Sequence, residues 1–516
     1  MSAGRWRAPK EDGACLVVPS WEELPGLVAA NQKLLQAANI RLGDRQLAAA
    51  RQLAWESLQQ VVSQWAAWAG VESKALLRPL LITGHQPELY HPGVWAKNVA
   101  IHQLARKLGG SSLNLNVDSD VAKTTTLKVP VASGEKPDAQ LGYGEPQPPL
   151  PYEEWRCRDE ADFAKVAEEF ATASKDWPWQ PVFPEFWKLV LEQRDKTDCI
   201  PYRWLLARHL WERKQGVANH EFLMSQWCEM PFFRWLLQLF IADAPWFARV
   251  YNEELKQYRQ EHRIRSANHP VADLRVSNDL VELPFWAWQQ GSTQRGRLCI
   301  RKQYGAIELI CLTAGNETVI DTQESAQRMQ DLVGWKIRPK ALITSMMFRL
   351  FVADLFVHGI GGAVYDELTD RIFQRYWKVT LPRFAVITAT QRLPWGTRPV
   401  DAQQPLHLRQ TLRAMHWNPD RFLDGNESSA VAFLQEEKQR WTGQPVAVTQ
   451  LAERHEQLDA IRSQLQPMVE PQKEAMEKQL EQTLHQLKWH EHHFSREYPW
   501  VLYPREQLLA LREQFC

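Results

Sequence analysis

Residues 81–120 read LITGHQPELYHPGVWAKNVAIHQLARKLGGSSLNLNVDSD, and the fold turns on this stretch. Its lead-in, Pro79 to Thr83, is short, largely apolar and stopped by Gly84, the pattern of a buried parallel strand. A loop holding Gly84, Pro87, Pro92 and Gly93 follows. Val94, Ile101, Leu104, Ala105 and Leu108 then recur on one side of a helix spanning Val94 to Leu108, which Gly109 and Gly110 end. Ser112 to Val117 is the next strand. It delivers Asp118 and Asp120 past its carboxyl end, where open parallel sheets bind ligands. Strand, loop, helix and strand thus turn His85, Gln86, Lys97, Asp118 and Asp120 towards one crevice.

A chain of 516 residues is too long for one ordinary core, and about 100–200 residues per domain suggests about two to four units. Lys plus Arg and Asp plus Glu are 61 each, so no global field favours nucleic acid or an anionic membrane. No stretch approaches the ~20 apolar residues of a membrane span, and MSAGRWRAPKEDGACLVV has no apolar core for a signal peptide. A soluble, cytoplasmic protein is expected. The 7 cysteines are odd in number and scattered, without a C-x-x-C pair, which argues against a disulfide framework or structural zinc. The 24 tryptophans include the close pairs Trp65 and Trp68, Trp177 and Trp179, and Trp286 and Trp288. They read as packing rings, or as a stacking platform that would need an interleaved basic stripe.

Working outward, residues 1–75 are a polar leader and N-terminal helices, Leu27 to Ala38 and Arg45 to Trp68, by their three- and four-residue apolar spacing. Residues 76–150 form the first half of an α/β core, with a further strand from Thr124 to Val129 and a Pro- and Gly-rich connection closing it. Residues 151–270 carry strong helical faces and read as a helical insertion. In 271–334 the period shortens to that of an antiparallel β element, with turns at Gly291-Ser292 and Tyr304-Gly305. Residues 335–445 supply the second half of the core. There Arg338, Pro339 and Lys340 precede a helix from Ala341 to Leu350, Phe351 to Val357 extends it or forms a strand, and Leu381 to Thr388 is a further strand. Residues 446–516 read as a coiled-coil hairpin bent at Pro467 and Pro471, followed by a terminal helix from Arg505 to Phe515. Such arms pair two copies of the chain or pack within one.

His85 and His91 lie in the loop after the first strand, where an imidazole can donate to a phosphate oxygen or serve only the local structure. Lys97 opposes the dipole of its own helix start, which suits a bound anion; a solvated surface lysine is the alternative. Asp118 and Asp120 either hold a cation, ribose or amine, or cap the next segment. The run His358-Gly359-Ile360-Gly361-Gly362 before a helix carrying Asp366 either lets a backbone approach an anion or is a tight turn. His490, His492 and His493 match a metal patch in composition but read as exposed helix residues, and no metal ligand set is assigned.

The combination TGHQPELYHPGVWAKNVAI, LNVDSD and IRPKALITSMMFRLFVADLFVHGIGGAVYDELTD, with the terminal hairpin, resembles the BshC family, the cysteine-adding enzymes assigned to bacillithiol biosynthesis. Gly84-His85-Gln86 stands where that family has Gly-Gln-Gln, Asp118-Ser119-Asp120 where it has Asp-His-Asp, and Gly359-Ile360-Gly361-Gly362 where its late glycine turn would be. The Gly-His pair is also similar to the signature of nucleotidyltransferases. The resemblance implies a Rossmann-like parallel-sheet core with helical insertions, an adenine nucleotide with magnesium as a further candidate, and a homodimer through the coiled coil. It implies a ligase or nucleotidyltransferase that joins or activates a small amino-acid or amino-sugar substrate. His85, Asp118 and Asp120 would be catalytic. Gly84, Gln86, His91, Lys97, Lys340, His358, Gly359, Gly361, Gly362 and Asp366 would bind nucleotide or substrate. The alternative is a non-catalytic nucleotide- or metabolite-binding assembly protein that uses the coiled coil to dock a partner.

Overall fold

A computed structural model describes residues 6–516 except 123, 133–135, 145–149, 304–305, 322–331, 333, 397–400, 402, 424–428, 444 and 446. The expected turn at Tyr304-Gly305 lies outside the described residues. The chain forms two units, one of residues 1–132, 138–394 and 496–516, the other of residues 133–137 and 395–495.

The first unit is mixed α/β and centres on a sheet in the order Cys15–Val18, Ala385–Ala389, Leu355–His358, Leu80–His85, Ser111–Asn116, His220–Leu223. All neighbours are parallel except Cys15–Val18, which runs antiparallel to Ala385–Ala389. Leu80, Leu81 and Ile82 are wholly buried because both faces of the sheet are covered. Leu80, Ile82, Leu113 and Leu115 share a core with Leu58, Val61 and Val62 of the helix Leu47–Ala69. The helix Pro92–Leu108 also packs on the strand Leu80–His85, and its Trp95, Val99 and Ile101 are wholly buried. From Leu80–His85 the chain crosses to Ser111–Asn116, and from the adjoining Leu355–His358 it crosses the opposite way, to Ala385–Ala389. A crevice opens where such connections diverge.

Two strands of this sheet escape a pattern reading, since four residues are too few to show a period. Cys15–Val18 lies in the polar leader, and His220–Leu223 makes the segment 151–270 a contributor to the sheet rather than a wholly helical insertion. The Pro- and Gly-rich connection holds a strand too, Asp138–Gly142, paired with Thr126–Pro130. At 351–357 the helix Ala341–Phe351 stops and Leu355–His358 joins the sheet. Asp354, between them, accepts Leu80 N–H at 2.7 Å and Arg78 Nη1 at 2.9 Å.

An antiparallel sheet follows the order Asn316–Asp321, Ala306–Thr313, Gly296–Gln303, Leu280–Gln289, Trp335–Pro339. Trp65, Trp177, Trp179 and Trp288 are buried packing rings, with Trp177 stacked on Trp179 at 4.6 Å. Trp286 instead faces the crevice.

In the second unit Leu451–His493 is a single helix of 43 residues, with Gln404–Trp417 and Ser429–Gly443 packed along it. The bend expected at Pro467 and Pro471 does not occur, so this segment is not a hairpin. Each interior proline removes a backbone donor, but Ile461, Leu465 and Val469 form one apolar stripe against Leu423, Val431 and Leu434 that continues past Pro467. His493 is no surface histidine. It is wholly buried, stacked on Trp489 at 3.8 Å, and its Nδ1 donates to Trp489 O at 2.8 Å.

Candidate functional site

A cleft of about 1070 Å³ opens at the carboxyl ends of the strands Leu80–His85, Ser111–Asn116 and Leu355–His358. Gly84, His85, Gln86, His91, Lys97, Asp120, Lys340, His358, Gly359, Gly361, Gly362 and Asp366 line it; Asp118 does not. The strand ends at Asn116, so Asp118 and Asp120 no longer follow its alternation and point apart. Asp118 is wholly buried and accepts Ser225 N at 2.9 Å, Tyr202 Oη at 2.7 Å and Ser225 Oγ at 2.5 Å. Burial, with Glu153 nearby, pushes its carboxyl above the usual range. Asp120 faces the cleft, accepting Gln86 Nε2 at 3.2 Å and Arg295 Nη1 at 3.2 Å.

Lys97 is 4% exposed, and its Nζ donates to Gly84 O at 2.9 Å. Among the described residues no carboxylate lies within ion-pair distance of it, and burial lowers its ammonium to about 8. A buried cation without a counter-ion is costly unless something anionic joins it.

The two histidines of the first loop are occupied by the protein. His85 Nδ1 is 3.2 Å from Gln86 O, and its Nε2 is 3.4 Å from Tyr90 Oη. Asn98 Nδ2 ties Tyr90 Oη, at 3.0 Å, to Glu212 Oε1, at 3.0 Å. Below them Arg208 donates to Glu212 at 2.8 Å and Glu221 at 2.6 Å, with all three side chains buried. Burial, then Arg208 and Lys97, push His85 well below the ordinary imidazole range. His91 caps the helix Pro92–Leu108, its Nδ1 accepting Gly93 N at 3.0 Å, and burial pushes it down to about 3. Gly93 is required there, since a Cβ would lie 2.4 Å from Ala389 O and 2.8 Å from Arg496 Nη2.

At the neighbouring strand end, His358 Nε2 is 2.7 Å from Asp366 Oδ2 and 3.2 Å from Ser345 Oγ. Arg349 Nη1 donates to the same Asp366 oxygen at 2.9 Å and pairs with Asp370 at 2.8 Å. Burial would raise the Asp366 carboxyl, but His358 and Arg349 beside it hold it well below the usual range.

The wall formed by the antiparallel sheet carries, beside the expected Lys340, groups that no local pattern announces. Arg295 lies over the Trp286 ring at 4.2 Å and Lys340 at 4.6 Å. Lys340 is paired with buried Glu282 at 2.5 Å, which also attracts Arg297 at 3.5 Å. Arg496 reaches the cleft from near the chain's end and donates to Thr388 Oγ1 at 3.1 Å. Ser345 and Arg349 stand four apart on one helix, as do Asp366 and Asp370 on the next, and those matched spacings were the available signal for this pairing.

Among the described residues no cysteine lines the cleft, no group of three or more His, Cys, Asp or Glu side chains is gathered to hold a metal, and no helix is long and apolar enough to cross a membrane. Groups of the kind that bind an anion are present in Lys97 and the N–H groups that open the helix Ile360–Tyr376, whereas those that open Pro92–Leu108 are taken up by His91. Compared with known families and curated proteins, the sequence matches no family model and no curated protein.

Proposed function

We propose that the chain is a BshC-like enzyme of the ligase or nucleotidyltransferase type, acting on a small polar amino-acid or amino-sugar substrate with an adenine nucleotide bound in this cleft. The observation that carries the reading is Lys97, buried at the point where the sheet connections diverge and, among the described residues, hydrogen-bonded only to Gly84 O at 2.9 Å. A phosphate there would supply its counter-charge. Magnesium, where needed, would arrive on the nucleotide's phosphates. The wider assignment is a cytoplasmic enzyme with a Rossmann-like core and a homodimer formed through the long helix as a coiled coil. The exposed Leu451, Met468 and Leu484 on that helix support the dimer.

The test is thermal unfolding with ADP or ATP, with and without magnesium, since a ligand of the native state raises Tm by mass action. A rise in the wild type that disappears in Lys97→Met is expected. No rise with any nucleotide overturns the reading.

One observation favours the second reading, a binding protein without turnover that docks a partner through the coiled coil. Asp118 is turned away and both His85 nitrogens are engaged, so two of the three expected catalytic side chains are committed to structure. Nucleotide binding without turnover in the presence of amine acceptors would select it.

A further inference from the structure

The ring of His358 is bonded on one side only. Its Nε2 lies against the Asp366 carboxylate at 2.7 Å, and a carboxylate accepts, so in the neutral ring the proton sits on Nε2 and the lone pair on Nδ1. Among the described residues nothing hydrogen-bonds to Nδ1, although the residue is 8% exposed and lines the cleft. Gly362 leaves the space in front of that atom, since a Cβ at 362 would stand 2.6 Å from Nδ1. The ring is held by Phe356 at 4.5 Å and Phe384 at 5.1 Å, and Arg349 fixes the carboxylate behind it at 2.9 Å.

Ser345 is not a nucleophile activated by this pair. In a serine-hydrolase triad the serine and the carboxylate occupy opposite ring nitrogens, whereas here both are on Nε2. Ser345 instead hydrogen-bonds the Asp366 carboxylate, completing its support.

We propose that His358 Nδ1 is the general base of the cleft, taking the proton from an amine, hydroxyl or thiol of the acceptor substrate, with Asp366 and Arg349 as positioning residues. The assignment deepens the nucleotide-using reading and rests on it for the electrophile. As the acceptor atom's lone pair forms a bond to phosphorus of the bound nucleotide, its proton passes to Nδ1. The phosphoanhydride bond breaks, and its electron pair leaves on the departing phosphate. His358 lies at the strand end next to the one that carries Gly84, the residue holding Lys97, so base and anion site occupy neighbouring strand ends. His85, assigned the catalytic role by its place in the sequence, has no nitrogen free for the task.

The first test is carbethoxylation of the full chain by diethyl pyrocarbonate near pH 7, read per histidine by peptide mass spectrometry. His358 is expected to react faster than His85 and His91 by at least about tenfold, since only an unprotonated, open nitrogen reacts. Asp366→Asn is expected to slow it severalfold and Lys97→Met to leave it unchanged. A His358 that stays unmodified while His85 reacts overturns the assignment. Because this readout uses no nucleotide, it separates a failed base from a failed nucleotide reading: modification at His358 with no ADP-induced rise in Tm keeps the open base and removes the nucleotide. Where turnover of ATP with an amine acceptor is found, His358→Gln is expected to lower kcat by about 10²–10⁴-fold with ADP affinity within about twofold of wild type. Loss of ADP affinity with kcat unchanged would make the residue a binding group and sink the proposal.

Discussion

The strand ends Leu80–His85 and Leu355–His358 are neighbours built from the same parts: an apolar strand, a histidine as its last residue, glycines, then a helix. They are wired in opposite ways. At the first, His85 is tied down and the free resource is a cation, Lys97. At the second, the cation Arg349 is consumed by Asp366 and Asp370, and the free resource is the lone pair on His358 Nδ1. One end suits holding negative charge and the other moving a proton. The role of each is set by side chains behind the cleft, not by the histidines.

The supports should therefore give the largest effects. Arg208→Met leaves Glu212 and Glu221 buried without their guanidinium, and Arg349→Met leaves Asp366 without its own. Breaking a buried pair costs about 3–5 kcal/mol, so denaturant unfolding should show losses of that order. The loss should be greater for Arg208, which serves two fully buried carboxylates. Equal stability of either variant with wild type would mean the charges behind the cleft do not hold it.

The second effect is a pH dependence with two opposite signs. Lys97 is held at about 8, below its ordinary 10.5, so between those values the unfolded chain binds a proton that the folded chain does not. Stability of the ligand-free protein therefore rises with pH across that window, by about 1.4 kcal/mol per unit for one such group. Anion affinity runs the other way and falls as Lys97 loses its charge above about 8. Lys97→Met should abolish both trends in urea titrations and ADP binding. A wild-type affinity that is flat from pH 7 to 9.5 would assign the anion site to other groups.

The glycines sharpen the contrast at a smaller scale. A Cβ at 93 would meet the backbone oxygen of Ala389 at 2.4 Å, which cannot turn aside. Gly93→Ala should cost about 1–3 kcal/mol of stability. The three atoms nearest a Cβ at 362 all belong to the His358 side chain, the first being Nδ1 at 2.6 Å, so Gly362→Ala should leave Tm within a few degrees of wild type and slow carbethoxylation of His358. The reverse ranking would mean that the second glycine serves the backbone.

Much of this contrast was legible in the chain. The first strand–helix unit announces itself by an apolar run, a glycine stop and a helical period; the second shows its glycine turn and helix but leaves 351–357 open between helix and strand, and His85, Lys97, His358 and Asp366 meet at one cleft. The rest depends on distances that no local pattern encodes. Arg295 and Arg496 come from a distant hairpin and the far end of the chain, while His220–Leu223 is too short to show alternation. Asp118 and Asp120 look equivalent by spacing until the strand stops at Asn116. Pro467 and Pro471 read as a bend because proline weakens a helix locally, and the apolar stripe of Ile461, Leu465 and Val469 outweighs that weakness.

The smallest effect tests what Asp120 does between the two strand ends. Its carboxylate holds Gln86 and Arg295 on the wall of a cleft assigned to anions. Asp120→Asn removes a negative charge there and loosens Arg295 from it, so ADP should bind about two- to threefold tighter, a modest gain typical of one partly screened charge. Asp118→Asn, acting on a carboxylate that accepts from Tyr202 and Ser225 outside the cleft, should leave ADP affinity unchanged and lower stability by about 1–3 kcal/mol. A tenfold loss of affinity in Asp120→Asn would reverse the electrostatic account. Asp120 would then be holding a cation, either a substrate amine or a metal on the phosphates, and the proton-moving strand end would have an acidic partner across the cleft.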